Sequence, residues 1–203
     1  MAEGIMDYSI IGSGTLGGAL ATQFSSNDIE VLLANSRGPT SLKEMVGKLG
    51  PKVRATTVKE AATATVVILA VPFSAVPNVV STVSDWRGRI VVDATNAVDL
   101  PSFTPTDLGG RLSSEIVAEL VRGAPVVKAF NTLSAGILAS NPVQDGGRRV
   151  IFTSSDDADA SAAVAGLCKR LGFYPIDLGP ISQGGRLQHF GGPLSGQNLV
   201  RMD

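Results

Sequence analysis

The feature that most constrains this chain is a glycine-rich turn close to its N-terminus. A short run of β-branched and aromatic residues, Tyr8 to Ile11, precedes the turn, and apolar residues at helical spacing follow it. In a strand–turn–helix unit of this kind the glycines allow the sharp turn, the approach of a diphosphate and the close packing of the helix. The pattern therefore predicts a dinucleotide site, with an ordinary glycine turn as the alternative. The residues concerned are Gly12, Ser13, Gly14, Thr15, Leu16 and Gly17.

The segment after the second predicted strand, 29–34, indicates which dinucleotide would bind. Sites for NAD usually carry Asp or Glu here, about 20 residues beyond the glycines, to bind the adenosine ribose. This chain has Asn35, Ser36 and Arg37 instead. A guanidinium can bind a 2′-phosphate through two hydrogen bonds, whereas a carboxylate would repel it. The sequence thus favours NADP over NAD. A solvated turn is the alternative, and Lys43 is a further cation in the helix that follows.

The rest of the chain alternates predicted strands and helices, which is typical of an α/β fold. The continuous apolar run 65–71 predicts a central parallel strand that is covered on both faces. The remaining predicted strands are 52–56, 89–94, 124–132 with its exit, 149–154 and 173–178. We therefore predict a Rossmann-type, doubly wound, mainly parallel sheet with an additional C-terminal βαβ unit and a glycine-rich tail.

Ligands of open α/β sheets bind outside the carboxyl ends of the strands. The residues that follow three of the predicted strands are therefore candidates for lining the cofactor cleft: Val71, Pro72, Phe73, Ala94, Asn96 and Asn131. Strand ends with a purely structural role are the alternative. The loop 97–110 is long enough to act as a lid or a substrate loop. Segment 141–147 is rich in turn residues and is predicted to be a connector.

The final segment, 179–203, is rich in Gly and Pro and shows little periodicity. We expect a loop there that is held close to a ligand or to other backbone. His189 in this segment is the only histidine, and imidazole is the side chain best suited to general acid work near neutral pH. His189 and Asn131 are thus the candidates for a catalytic role, with a structural or surface histidine as the alternative.

Composition excludes several classes of protein. Seventeen basic and 18 acidic residues give a net charge of −1 without a block of like charge, which argues against a nucleic-acid partner. The single cysteine, Cys168, precludes an intramolecular disulfide and lies in a small apolar context, so we expect a buried residue. We see no signal peptide, membrane span or metal-binding motif, and therefore expect a cytoplasmic protein.

Five segments together carry a family resemblance: Ile10–Gly17, Asn35–Pro39, Leu69–Pro72, Val92–Asn96 and Val127–Thr132. They resemble the NADP oxidoreductases that depend on the deazaflavin coenzyme F-420 (F420). They are similar too to the cytosolic NADPH-binding domain of the six-transmembrane metalloreductases, which passes hydride to a flavin. The resemblance implies that Ser13, Thr15, Ser36 and Arg37 hold NADP phosphates. It also implies that residues after Asn131, with the glycine-rich tail, border the second cofactor.

The expected function is hydride exchange between NADPH and coenzyme F420 or a flavin. We expect residues 1–203 to form a single NADP-binding domain in which 148–203 contribute to the second-substrate site. Because the sequence leaves no room for a helical substrate domain, the expected site is shallow and suits a flat redox cofactor. An NADPH-dependent reductase of a small carbonyl or imine and a non-catalytic NADP-binding sensor are the alternatives. A homodimer is expected from the base rates of soluble proteins.

Overall fold

The computed structural model describes residues 7–202 and contains strands and helices in regular alternation. The strands are β1 Tyr8–Ile11, β2 Val31–Ala34, β3 Val53–Thr56, β4 Val66–Leu69, β5 Ile90–Asp93, β6 Val98–Asp99, β7 Thr104–Pro105, β8 Val126–Ala129, β9 Val143–Gln144, β10 Gly147–Ser155, β11 Tyr174–Asp177 and β12 Val200–Arg201. The helices are α1 Thr15–Ser26, α2 Lys43–Leu49, α3 Val58–Ala61, α4 Val76–Val80, α5 Ser113–Leu120, α6 Ala135–Ala139, α7 Ala158–Arg170 and α8 Ile181–Gln188. Short 3-10 turns, Pro39–Leu42 and Phe73–Ala75, precede α2 and α4.

The main sheet has the order β3-β2-β1-β4-β5-β8-β10-β11. The first six strands of this order are parallel. β1 pairs with β2 on one side and with β4 on the other, so the direction of winding reverses at β1. This confirms the predicted doubly wound, Rossmann-type α/β fold. In such sheets a crevice opens at the carboxyl ends of the strands next to the reversal point.

The predicted C-terminal βαβ unit is present as β10-α7-β11, with β10 and β11 parallel to each other. β10 is antiparallel to its other neighbour, β8, so this unit runs against the first six strands. The carboxyl ends of β10 and β11 therefore lie at the edge opposite to the crevice. Their amino-terminal ends lie at the crevice edge, where the Phe152 carbonyl of β10 accepts a hydrogen bond from Gln188 at the end of α8.

The sheet separates two hydrophobic cores, because alternate residues of each strand point to opposite faces. Ile10 and Ile68 pack with α1, α6 and α7, whereas Ile11 and Leu69 pack with α3, α4, α5 and α8. Each central strand is thus buried on both faces, as the apolar run 65–71 predicted. Cys168 lies fully buried in the first of these cores, and burial raises the pKa of its thiol.

The prediction for segment 179–203 was wrong in one respect, because Ile181–Gln188 forms the helix α8 rather than a loop. Two adjacent glycines in this stretch disfavour a helix intrinsically. Tertiary packing overrides that preference: Ile181, Gly184, Gly185 and Gln188 are buried and recur at helical spacing. Gly184 packs against β10 so closely that a Cβ there would lie 2.4 Å from the Ser154 hydroxyl oxygen.

Two other predicted connections carry short strands. Within loop 97–110, β6 and β7 form an antiparallel pair, and within segment 141–147, β9 pairs with the start of β10. Two-residue strands leave too little alternation in the sequence to be recognised. Both corrections concern segments between the main elements, and neither changes the order of the main strands.

Candidate functional site

The glycine-rich turn has the geometry that its three glycines predict. Gly12 adopts φ +120°, and a Cβ there would lie 2.1 Å from the carbonyl oxygen of Ala70. A Cβ at Gly17 would lie 1.9 Å from the carbonyl oxygen of Gly12, so this glycine lets α1 pack against the turn. Gly14 differs, because a Cβ there meets no atom of the described chain within 4 Å. The space over Gly14 is therefore open to a ligand.

The N-terminus of α1 faces this open space without a cap from the protein. Gly14 precedes the helix and supplies no side-chain hydrogen bond, and the first turn holds no acidic residue. The backbone N–H groups of a first helical turn carry a partial positive charge. An anion at this position would satisfy these N–H groups.

A cleft of about 880 Å³ lies at the carboxyl ends of β1, β2, β3 and β4. It is lined by Ile11, Gly12, Ser13, Gly14, Asn35, Ser36, Arg37, Gly38, Thr57, Val58, Lys59, Ala70, Val71, Pro72, Ala75, Asn78, Val79 and Thr82. These described residues include two cations and no carboxylate. Arg37 and Lys59 are both exposed and have no ion pair within residues 7–202. The cleft therefore has positive potential at one end and an apolar lining from Val58, Val71 and Val79.

The only carboxylate on α3, Glu60, is held away from this cleft. The Thr56 hydroxyl donates a hydrogen bond to Glu60, and the Thr57 backbone N–H and hydroxyl donate to the same oxygen. These hydrogen bonds, with that from Thr56 the largest contributor, hold the pKa of the Glu60 carboxyl below its usual value. Glu60 thus stays ionised at the base of α3 while its neighbour Lys59 lines the cleft.

The structure brings together eight of the predicted cofactor residues in this cleft: Gly12, Ser13, Gly14, Asn35, Ser36, Arg37, Val71 and Pro72. Thr15, Leu16 and Gly17 form the adjoining first turn of α1. Phe73, Ala94, Asn96 and Asn131 lie at the exits of β4, β5 and β8, outside the cleft lining, and Lys43 also lies outside it. Sequence reasoning missed Thr57, Val58 and Lys59. They follow β3, and the rule that ligands meet strand ends would have indicated them.

At the exits of β5 and β8, two amide side chains pair with each other. Asn96 donates through Nδ2 to the carbonyl oxygen of Asn131 at 2.9 Å, and Asn131 donates through Nδ2 to Asn96 Oδ1 at 3.0 Å. Asn131 Nδ2 donates as well to the carbonyl oxygen of Gln188 at 2.7 Å. Gln188 in turn donates through Nε2 to the Phe152 carbonyl at 2.9 Å. The end of α8 is thus tied to the strand exits.

An ion pair is buried directly beneath these exits. Lys128 Nζ lies 3.0 Å from Asp93 Oδ2, and the two side chains are only 1% and 0% exposed. Lys128 Nζ donates to the Thr95 carbonyl, and Asp93 accepts hydrogen bonds from the Ser114 hydroxyl and from the backbone N–H and hydroxyl of Thr95. Both charges are therefore paired and hydrogen-bonded, which is the condition for keeping them inside a protein.

His189 does not line the 880 Å³ cleft. It borders a smaller one of about 230 Å³, together with the loop between β7 and α5 and with Arg111 and Arg186. This small cleft adjoins the paired amides, because Ala97 and His189 line it and directly follow Asn96 and Gln188 in the chain. The second catalytic candidate, Asn131, is buried beside it, and its Oδ1 has no hydrogen-bond partner within the described residues.

Comparison with known proteins agrees with this geometry. Residues 7–97 match the family model described as NADP oxidoreductase, coenzyme F420-dependent. The F420-dependent NADP reductase of Methanothermobacter thermautotrophicus is 29% identical over 193 residues, which cover 86% of this chain and 82% of the relative. Over these residues the chain is similar to the coenzyme F420-dependent NADP oxidoreductase family. The family match begins just before β1 and ends just beyond Asn96, so it includes all residues that line the larger cleft.

Two further proteins are similar to this chain. The crystal structure of the hypothetical protein SMa0349 from Sinorhizobium meliloti superposes with a TM-score of 0.94 at 51% identity, covering 97% of this chain and 96% of that one. Metalloreductase STEAP3 of Rattus norvegicus is 30% identical over 175 residues, or 85% of this chain. The chain spans about a third of that metalloreductase, 34% of its length. Across residues 7–202, no helix combines the length and the apolar character needed to cross a bilayer.

Proposed function

We propose that this protein binds NADP(H) in the 880 Å³ cleft and exchanges a hydride between its nicotinamide and a flavin or deazaflavin. One observation carries the proposal: the cleft combines a glycine-rich turn at a helix N-terminus with two unpaired cations, Arg37 and Lys59, and its described lining holds no carboxylate. An NAD site would need an acid at the β2 exit, whereas an additional phosphate requires positive charge.

The diphosphate is proposed to bind over Gly14 at the N-terminus of α1. The open space above Gly14 supports this position, because nothing in the described chain explains the absence of a side chain there. The uncapped N–H groups of Thr15 and Leu16 and the hydroxyl of Ser13 would donate to phosphate oxygens. The adenine would lie on the apolar floor formed by Val58, Val71 and Val79.

The 2′-phosphate is proposed to bind between Ser36 and Arg37, with Lys59 on the opposite wall. Arg37 presents a planar set of donors that matches two phosphate oxygens, and Lys59 adds a point charge. Both side chains are exposed, so solvent and salt would weaken each contact. A preference for NADP over NAD that falls as salt rises is therefore expected.

The second substrate is proposed to approach the exits of β5 and β8. Bound NADPH would supply the hydride, the acceptor ring would take up the electron pair, and a proton would come from solvent. The chain's task there is to hold two flat rings face to face and to exclude water, which requires rigid positioning more than acid–base groups. The paired amides of Asn96 and Asn131 and the tied end of α8 support such a rigid frame. We propose that the chain forms one domain in which 148–203 borders this acceptor.

The direct test mixes the protein with NADPH and oxidised coenzyme F420, FMN or FAD in turn and follows the nicotinamide absorbance. We expect turnover with at least one of these acceptors and the appearance of its reduced form. Absence of turnover with all of them would contradict the proposed acceptor class. NADP binding without turnover on a wider acceptor panel would identify a non-catalytic sensor module instead.

The environment of His189 favours a second candidate function, that of an NADPH-dependent reductase of a small carbonyl or imine. Its imidazole is half-buried, has no side-chain hydrogen bond within the described residues and borders the small cleft next to the paired amides. A reductase of that kind would use His189 as a general acid, so His189→Ala would lower kcat by about a hundredfold or more. Hydride transfer to a flavin or deazaflavin would change by less than threefold in the same variant.

A symmetric homodimer in the cytoplasm is part of the proposal. Leu100 and Phe103, at the tip between β6 and β7, are 69% and 68% exposed, and large apolar side chains so exposed are typical of contact surfaces. Pro105 from the same hairpin lines the small cleft, so a partner here would help to close the acceptor site. Sedimentation analysis of the wild type and of a Leu100→Ser, Phe103→Ser variant tests it: the variant should be monomeric.

A further inference from the structure

The side chain of Asn35 lies between two turns that line the larger cleft, the glycine-rich turn and the turn that carries Arg37. It is only 9% exposed, although it is polar and follows β2 at the rim of the cleft. Its Nδ2 donates to Ser13 Oγ at 2.9 Å and to Ser41 Oγ at 3.0 Å. Its Oδ1 accepts a hydrogen bond from the backbone N–H of Arg37 at 2.9 Å. One amide thus joins the glycine-rich turn, the Arg37 turn and the 3-10 turn that precedes α2.

The orientation of this amide is fixed by its neighbours. Ser41 has a single hydroxyl proton, and the Gly38 carbonyl oxygen at 2.7 Å is a closer acceptor than Asn35 Oδ1 at 3.2 Å. Ser41 Oγ therefore accepts from the Asn35 Nδ2. The Arg37 N–H also needs an acceptor, so exchanging the oxygen and nitrogen of Asn35 would place two donors against each other. Only the orientation with Nδ2 toward Ser13 and Ser41 and Oδ1 toward the Arg37 N–H satisfies the hydrogen-bonding groups around this amide.

This arrangement determines the role of the Ser13 hydroxyl. Because Ser13 Oγ accepts from Asn35, its own proton remains available, and it donates to no other atom of the described chain. Ser13 lines the cleft at the glycine-rich turn. The hydroxyl is thereby set as a donor toward whatever occupies the cleft, which suits a phosphate oxygen.

We infer that Asn35 is a positioning residue that makes the diphosphate turn and the 2′-phosphate turn a single preorganised unit. The amide holds Ser13 as a hydrogen-bond donor at one end and fixes the backbone that carries Arg37 at the other. The inference rests on the proposed function, since it assumes a phosphorylated dinucleotide in this cleft. Both Nδ2 protons of Asn35 are used within the chain, so we expect it to act through Ser13 and Arg37.

Replacing this amide by a carboxylate reverses its effect at nearly constant shape. In Asn35→Asp the carboxylate accepts from the Ser13 hydroxyl and so takes the proton that the ligand would use. It also places a negative charge at the β2 exit, where NAD sites carry an acid. Both changes act against a 2′-phosphate. Asn35→Asp is therefore expected to convert an NADP site into one without that preference.

The test measures the Kd of NADP⁺ and NAD⁺ by calorimetry for the wild type, Ser13→Ala, Asn35→Asp and the double variant. We expect Ser13→Ala to raise the Kd of NADP⁺ by about tenfold, which corresponds to the loss of one charge-assisted hydrogen bond. Asn35→Asp should weaken NADP⁺ by about a hundredfold and lower the preference for NADP⁺ over NAD⁺ by at least about tenfold. Adding Ser13→Ala to Asn35→Asp should have no further effect, because the hydroxyl proton is already taken.

Asn78→Asp is the matched control, because Asn78 lines the same cleft and gains the same charge. In that background Ser13→Ala should retain its full effect of about tenfold. If Asn35→Asp fails to fold, as judged by thermal unfolding, Ser41→Ala takes its place. Ser41 is exposed and lies outside the cleft lining, and its loss should weaken NADP⁺ by about threefold and NAD⁺ by less.

Two results would overturn the inference while leaving the proposed function intact. One is an unchanged preference for NADP⁺ in both Asn35→Asp and Ser41→Ala. The other is multiplicative weakening by Ser13→Ala and Asn35→Asp, which would mean that the two residues act independently. A wild type that binds neither nucleotide would overturn the proposed function and the inference together.

Discussion

The two halves of the crevice edge treat their polar groups in opposite ways. At the exits of β1, β2 and β3, the cations Arg37 and Lys59 are exposed and unpaired in the described chain, and the space over Gly14 is open. At the exits of β5 and β8, Lys128, Asp93 and Asn131 are buried and bonded to one another or to nearby backbone. The first half presents groups to a ligand, whereas the second uses its polar groups to hold itself in place.

This difference indicates how the work of the site is divided. Under the proposed function, binding energy for a charged dinucleotide would come from the half whose cations have no ion pair in the described chain. The other half contributes a rigid surface, with Asn131 Oδ1 as its one buried acceptor that no described residue satisfies. Variants in the two halves should therefore separate affinity from stability.

The largest effect is expected from Lys128→Met, which tests whether the polar groups of the second half stabilise the fold. Removing the cation leaves the buried Asp93 carboxylate uncompensated, which costs about 3–5 kcal/mol in the free energy of unfolding. Chemical denaturation measures this loss. Lys59→Met, at an exposed cation, is the control and should leave the free energy of unfolding within about 0.5 kcal/mol. A loss below about 1 kcal/mol for Lys128→Met would refute the structural role.

A smaller loss of stability is expected from Gly184→Ala in α8. The new Cβ would lie 2.4 Å from Ser154 Oγ and 2.6 Å from Leu178 Cβ, and such overpacking costs about 1–3 kcal/mol. Gly166→Ala in α7 is the matched control, since a Cβ there meets nothing within 4 Å. That variant should gain about 0.5–1 kcal/mol from helix propensity. Thermal unfolding of both proteins decides whether the packing of α8 holds the second half rigid.

Lys59→Met also tests whether the first half of the crevice edge contributes to the affinity for NADP⁺. Losing one exposed cation opposite the proposed position of the 2′-phosphate should weaken the binding of NADP⁺ by about fivefold at low salt and leave that of NAD⁺ unchanged. Lys43→Met is the control, because Lys43 lies outside the cleft lining. Equal effects of the two substitutions on the Kd of NADP⁺ would mean that only overall charge matters.

The last prediction concerns the reactivity of Cys168, which lies in the core and belongs to neither half of the crevice edge. Burial raises the pKa of its thiol, so the reactive thiolate is scarce at pH 8 in the folded protein. A thiol reagent should label it only after denaturation. Rapid labelling of the native protein would show that the core around α7 opens readily.

The sequence predicted the parts of this molecule that local rules determine. Gly12 and Gly17 have the close contacts that the fingerprint requires, and the doubly wound, mainly parallel sheet is the one predicted from the glycine-rich turn and the alternating strands and helices. Helix α8 was missed because its buried face includes two glycines, which are not counted in an apolar pattern. The buried pair of Lys128 and Asp93 was missed for a different reason. Their environment is created by strands that are distant in sequence, so no local spacing of residues predicts it.

The most direct test of the account is calorimetric titration of NADP⁺ and NAD⁺ into the wild type and into Arg37→Ala. We predict that the wild type prefers NADP⁺ by about a hundredfold, since a bidentate guanidinium–phosphate pair contributes roughly 3 kcal/mol. Arg37→Ala should remove most of that preference and leave the Kd of NAD⁺ unchanged. Equal affinity of the wild type for the two nucleotides, with Arg37→Ala binding both as the wild type does, would contradict the account.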